Sequence, residues 1–300
     1  MVPEPPVVSA PPRRGAAQEL WKYLELQNLG LNLPFAVGFL FVAADGVPPL
    51  LPLALILIAF VAARNAGHSF NRWADREYDA RNPRTQDRAL VTGRYAPATA
   101  LTFALVSSAV LIVAARFLTP LAFYLSFPAV AIVFGYSYTK RYTALTTPFL
   151  GLVEAIVPAA VFIALDPAPP WLEVGAAVGA MHLWGTAFET IHSLGDLDSD
   201  RELGLRSLPL RMGVTNSVRL VPVLHAAALA LFAGFGLLAG LAWPYLLGLA
   251  AIALVAASTD LSLSKAPRST RGPFRNHFAM SALFAVAVVV ALGLSGHPIV

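Results

Sequence analysis

The apolar residues of this 300-residue chain fall in blocks of bilayer length. A helix needs about 20 mostly apolar residues to cross a hydrocarbon core. Nine such blocks are legible, at about 21–44, 49–72, 97–117, 119–139, 145–165, 170–193, 215–240, 243–264 and 274–295. Hydrophobic residues make up 57% of the chain and charged residues only 13%, against roughly 25% charged in a soluble domain. A water-soluble enzyme is excluded, and the expected fold class is an all-α membrane protein.

The few charges are segregated. Arg76, Arg81, Arg84, Arg88 and Arg94 follow the second block, and Lys140 and Arg141 follow the fourth. Arg201, Arg206 and Arg211 follow the sixth, and Lys265, Arg268, Arg271 and Arg275 precede the ninth. The alternate connections hold Asp45, Asp166 and Glu173, with Arg116 their one basic residue. The positive-inside rule then expects a cytoplasmic N-terminus, cytoplasmic long loops and an external C-terminus. It also accounts for the net charge of +4, so the expected partner is a lipid bilayer and not a nucleic acid. Residues 1–16 are proline-rich and lack an apolar core. They are expected to form a disordered cytoplasmic tail rather than a cleaved signal, with 17–300 as a single transmembrane domain. No cysteine is present, which excludes thiolate catalysis and cysteine-ligated metals.

Two acidic clusters stand at span ends. Asn71, Asp75 and Asp79 are four residues apart, as are Asp196 and Asp200; on a helix each set shares one face. Asp75 and Asp196 are 121 residues apart, the spacing of two weakly related halves. Carboxylates at the mouth of a membrane helix are costly unless a cation binds them. Oxygen donors without cysteine, and without histidine at ligand spacing, favour a hard ion such as Mg²⁺, which carboxylates commonly share with substrate phosphates. Arg64, within the second span, together with Lys140 and Arg141 supplies positive charge for such an anion. An ion-coupled membrane transporter is the alternative from another class.

The run Asn71 to Gly93 resembles the first signature of the UbiA superfamily of intramembrane prenyltransferases, and Asp196 to Pro209 resembles the second. Tyr136 to Thr143 and Leu33 to Ala36 are similar as well. The resemblance implies nine transmembrane helices bundled around a central apolar cavity, with cytoplasmic cap loops over acidic motifs at about 71–96 and 194–214. It implies that Asn71, Asp75 and Asp79 bind one Mg²⁺ and Asp196 with Asp200 a second, the ions bridged by substrate diphosphate. The four aspartates would be catalytic, and Arg64, Asn71, Tyr138, Lys140 and Arg141 would contact prenyl diphosphate or an aromatic acceptor. The reaction implied is transfer of a polyprenyl group to a ring carbon of a 4-hydroxybenzoate- or dihydroxynaphthoate-type acceptor in quinone biosynthesis. Chlorophyllide, homogentisate, carotenoid and glycerol phosphate acceptors are same-superfamily alternatives. Many members carry an acid directly after the motif asparagine, where this chain has Arg72.

Overall fold

In the computed structural model residues 20–295 are described, apart from Lys22; the expected tail at 1–16 lies outside them. Among the described residues the structure is helical, without strands. A 3₁₀ segment, Leu26–Leu31, leads into α1 (Leu33–Ala43). Long helices follow: α2 (Leu50–Ala74), α4 (Pro97–Arg116), α5 (Pro120–Tyr142), α6 (Thr146–Leu165), α7 (Trp171–Gly195), α10 (Val214–Leu238), α11 (Pro244–Lys265) and α12 (Arg271–Leu294). Short helices α3 (Arg76–Asp79), α8 (Leu197–Glu202) and α9 (Leu208–Met212) lie in the two acidic loops. Pro97, Pro120 and Pro244 open their helices at a position where the missing N–H costs nothing.

Among the described residues, seven helices are long and apolar enough by themselves to cross a membrane: α2, α4, α5, α6, α10, α11 and α12. The other two expected spans take different forms. The first is an 11-residue α1 with the 3₁₀ turn before it. The sixth, α7, has the length at 25 residues, but Glu173, His182, Glu189 and His192 make it more polar.

Helix α6 packs along α7, α2 along α4, and α10 along α7, while α12 lies against both α11 and α1. Short α1 is central, and its Phe35 and Phe39 are almost fully buried. Phe35 meets Trp184 of α7 at 5.5 Å between ring centroids and Phe284 of α12 at 5.0 Å; Phe39 meets Phe235 of α10 at 5.5 Å. Lipid tails compete equally for apolar surface, so helix association in a bilayer rests on close packing and polar contacts. Small residues supply the close packing between α6 and α7: a Cβ on Gly185 would come within 3.0 Å of Gly151 Cα and 2.9 Å of Glu154 Cγ.

A polar cluster joins α10, α11 and α12. His225 Nδ1 lies 2.8 Å from Asp260 Oδ1 and His225 Nε2 lies 3.5 Å from His277 Nε2. His277 Nδ1–H donates to the Pro273 carbonyl at 2.9 Å. His225 and His277 are buried, so the cluster fixes the register of three helices where water cannot substitute. Removing one partner of a buried pair strands the other. His225→Ala is expected to lower stability by about 3 kcal/mol, while the double change His225→Leu with Asp260→Leu restores most of it. Thermal unfolding in detergent is the measurement, and equal midpoints for wild type and His225→Ala would contradict a structural role.

Candidate active site

Both acidic motifs have the same local construction. Each long helix stops one residue short of the first aspartate, which sits at a pause, and a short helix carries the second. Asp75 has φ −93° and ψ 5°, and Asp196 has φ −101° and ψ 1°. The N–H of Asp79 donates to the Asp75 carbonyl at 2.8 Å, and that of Asp200 to the Asp196 carbonyl at 2.8 Å. Periodicity alone implies continuous helices here; the structure breaks both at the aspartate yet keeps the four-residue hydrogen bond. The carboxylates in each pair therefore remain on one side.

Counter-charges bring the motifs together. Asp75 is buried and accepts from Asn71 Nδ2 at 2.9 Å and Arg141 at 3.0 Å, with Lys140 Nζ at 3.6 Å. Arg88 reaches both oxygens of Asp79 at 2.7 Å. Arg84 clamps Asp196 through two bonds of 2.8 and 2.7 Å, joining the first loop to the second. The Arg206 N–H donates to the Lys140 carbonyl at 2.7 Å, tying the end of α5 to the second motif. Arg141 also stacks on Tyr138, 4.7 Å from the ring centroid. Asp75, Asp79, Asp196, Asn71, Tyr138, Lys140 and Arg141 thus gather at one end of the bundle.

Asp200 differs from its neighbours. It is 8% exposed and makes no side-chain hydrogen bond or contact ion pair among the described residues. Burial pushes its carboxyl up to about 6, with Lys140 opposing the rise and Asp196 adding to it. A buried carboxylate without a contacting cation, near Asp196, fits a site that accepts a hard divalent ion. No cluster of three acidic or histidine ligands is preformed among the described residues; arginine and lysine contact Asp75, Asp79 and Asp196.

Arg64 and Arg72 do different work. Arg64 donates to the Leu24 and Glu25 carbonyls at 2.6 and 3.0 Å. Arg72 is 5% exposed; its Nε donates to His68 Nε2 at 2.7 Å and a terminal nitrogen pairs with the Glu25 carboxylate. Its direct contacts are thus with His68 and Glu25 and not with the carboxylates of the motif. Glu25 adopts a left-handed backbone (φ 47°), a costly conformation for a non-glycine residue that these contacts hold. Sequence reasoning missed Arg84 and Arg88 as site residues. Their spacing of four, just after the first motif, was the available signal.

Residues 31–282 match the UbiA prenyltransferase family. The chain belongs to that family. It is similar to the 4-hydroxybenzoate octaprenyltransferase of Ralstonia nicotianae, with 33% identity over 220 residues, covering 72% of this chain and 74% of the relative. The UbiA homolog from Aeropyrum pernix K1, in its apo structure, superposes with TM-score 0.79 and 29% identity, covering 88% of this chain and 98% of that one. A UbiA homolog from Archaeoglobus fulgidus bound to GPP and Mg²⁺ shares the fold, with TM-score 0.68 and 20% identity, covering 91% of this chain and 99% of that one. This UbiA-family chain is an integral membrane prenyltransferase, which sets aside the transporter alternative.

In this UbiA protein Arg72 serves the N-terminal segment. Arg72→Ala is expected to lower stability by about 1–3 kcal/mol, the loss of a charged hydrogen bond, and to expose residues near Glu25 to limited proteolysis. Metal-dependent binding of a prenyl diphosphate analogue should persist in the same variant, and its loss would place Arg72 in the site.

Proposed function

We propose that this enzyme transfers a polyprenyl group from prenyl diphosphate to a ring carbon of a small hydroxylated aromatic acid of the 4-hydroxybenzoate type, in ubiquinone or menaquinone biosynthesis. One observation carries the reading: two acid pairs with the same backbone construction, interlocked by Arg84, at one end of an apolar helix bundle. The relatives named 4-hydroxybenzoate octaprenyltransferase support the acceptor class.

Asn71, Asp75 and Asp79 would hold one Mg²⁺, and Asp196 with Asp200 the other. Bound there, the ions neutralise diphosphate oxygens and make it a competent leaving group. Arg88 and Arg84 now compensate Asp79 and Asp196; with those carboxylates otherwise satisfied, both guanidiniums turn to the diphosphate. Lys140 and Arg141 add positive charge beside Asp75, where charge develops on the leaving group. Tyr138 braces Arg141 through ring stacking. Arg64, deeper in α2, presents its remaining N–H groups to the acceptor. The apolar walls exclude water, which would otherwise quench an allylic cation. All nine expected segments cross the bilayer, with the N-terminus and both acidic loops cytoplasmic and the C-terminus outside.

The test is an assay in membranes with prenyl diphosphate of several chain lengths and a panel of acceptors, with Mg²⁺ present or chelated. Asp75→Ala and Asp200→Ala are each expected to reduce kcat by at least about 100-fold, and chelation to abolish product. Full turnover in either variant, or in chelator, overturns the two-ion arrangement. Product with a non-aromatic lipid acceptor alone overturns the acceptor assignment.

A further inference from the structure

Beneath the acidic end, four helices each place a polar side chain inside the bundle. Tyr136 of α5, Glu154 of α6, Glu189 of α7 and Arg64 of α2 lie six to ten residues from the loop ends of their helices, a depth of roughly 9–15 Å at helical rise. Arg64 is in electrostatic range of Glu154 and Tyr136, Tyr136 of Asp75 and Glu189, and Glu154 of Glu189. A continuous polar track therefore descends from the clamp to Glu154. Each of the four keeps partial exposure.

Glu154 is the unusual member. Its stem lies against Gly185 of α7, where a Cβ would come within 2.9 Å of Glu154 Cγ. Asn32 Nδ2–H donates to its Oε2 at 2.5 Å. That is its one hydrogen bond, and no cation contacts it among the described residues. Oε1 has no partner yet is not sealed by protein. Glu189, by contrast, has His192 at 3.8 Å. A carboxylate costs free energy inside a bilayer and is retained there for a task. An amide fixing one oxygen and a glycine seating the stem leave the other oxygen aimed and free.

The geometry points to Glu154 as the general base of the prenyl transfer, with Asn32 as its positioning residue. This rests on the reaction proposed above. A ring carbon of the acceptor bonds to C1 of the prenyl group as the C1–O bond breaks, its electron pair leaving with the diphosphate. The attacked carbon then carries both its hydrogen and the new substituent, and the ring bears a positive charge. Glu154 Oε1 takes that hydrogen as a proton, and the C–H electrons restore the aromatic sextet. The proton leaves to water when the products depart. The base belongs below the clamp because the attacked carbon sits beyond C1, on the side away from the diphosphate.

The experiment uses the full chain in membranes with prenyl diphosphate, Mg²⁺ and 4-hydroxybenzoate, either unlabelled or deuterated on the ring. Wild type is expected to turn over both acceptors at the same rate, since ionisation limits it. Glu154→Gln is expected to lose about 100-fold or more in kcat, to keep the KM for prenyl diphosphate, and to show a primary isotope effect with the deuterated ring. Glu154→Asp should recover part of the rate, and Asn32→Ala should show a smaller loss with the same isotope effect. Wild-type kcat in Glu154→Gln overturns the inference. So does a loss without an isotope effect in both Glu154→Gln and Asn32→Ala, which is the pattern of a structural role. Absence of transfer by the wild-type protein itself is a failure of the proposed reaction, and is distinguishable on that ground.

Discussion

Everything at the loop end of this protein depends on neutralising carboxylates at the edge of a low-dielectric medium. Asp75, Asp79 and Asp200 are buried, and unpaired buried charge is among the most costly features a fold can contain. For Asp75, Asp79 and the neighbouring Asp196 the chain answers with Arg84 and Arg88 of the first acidic loop and Lys140 and Arg141 at the end of α5. The same contacts set the tertiary arrangement of the cap: Arg84 fastens the first loop to the second motif, and Arg141 fastens α5 to α2. Charge compensation and cap architecture are therefore one set of contacts. A site built this way is loaded by exchange, because the cations that stabilise the carboxylates are also suited to a polyanion once those carboxylates are otherwise satisfied.

The two halves of the site are unequal. Asp75 is held by an amide and two cations, whereas Asp200 has no contacting cation and burial pushes its carboxyl up to about 6. The backbone construction repeats almost unchanged between them, with aspartate at a helical pause and a second aspartate one turn on. What differs is the surroundings. The first motif lies against α5, which supplies Lys140 and Arg141, while the second borrows its arginines from distant loops, Arg84 for Asp196 and Arg268 for Asp198.

Much of this was legible in the sequence, for definite physical reasons. Membrane helices announce themselves by length and apolarity, and seven segments meet both conditions on their own. The acidic pairs announce themselves by their spacing. The apolar pattern continues through Leu26–Leu31 and so implies a full first span, yet that segment winds as 3₁₀ before the short α1. The breaks at Asp75 and Asp196 were invisible because a four-residue repeat survives a pause that keeps the i to i−4 bond. The departure from the motif at Arg72 has no local explanation in the sequence because its partner, Glu25, is 47 residues away. Asn32 and Glu154 are 122 residues apart, beyond any local pattern. For Arg72, Asn32 and Glu154 the missing information was a long-range polar contact.

Those long-range contacts share a physical origin. In water a side chain such as Glu154 or Arg64 satisfies itself with solvent, and its position says little. Inside a bilayer each must find a protein partner or line a wet interior, so polar residues become the coordinates by which the helices are set. His225 with Asp260 sets α10 against α11, Arg64 and Arg72 set the N-terminal segment against α2, and Asn32 sets the start of α1 against α6. The His225–Asp260 and Arg72–Glu25 pairs are closed by direct side-chain contact. The third leaves one carboxylate oxygen uncommitted, and it lies where the electrostatic track from the clamp ends. With its stem seated against Gly185 and one oxygen held by Asn32, Glu154 keeps the other oxygen available to a bound acceptor.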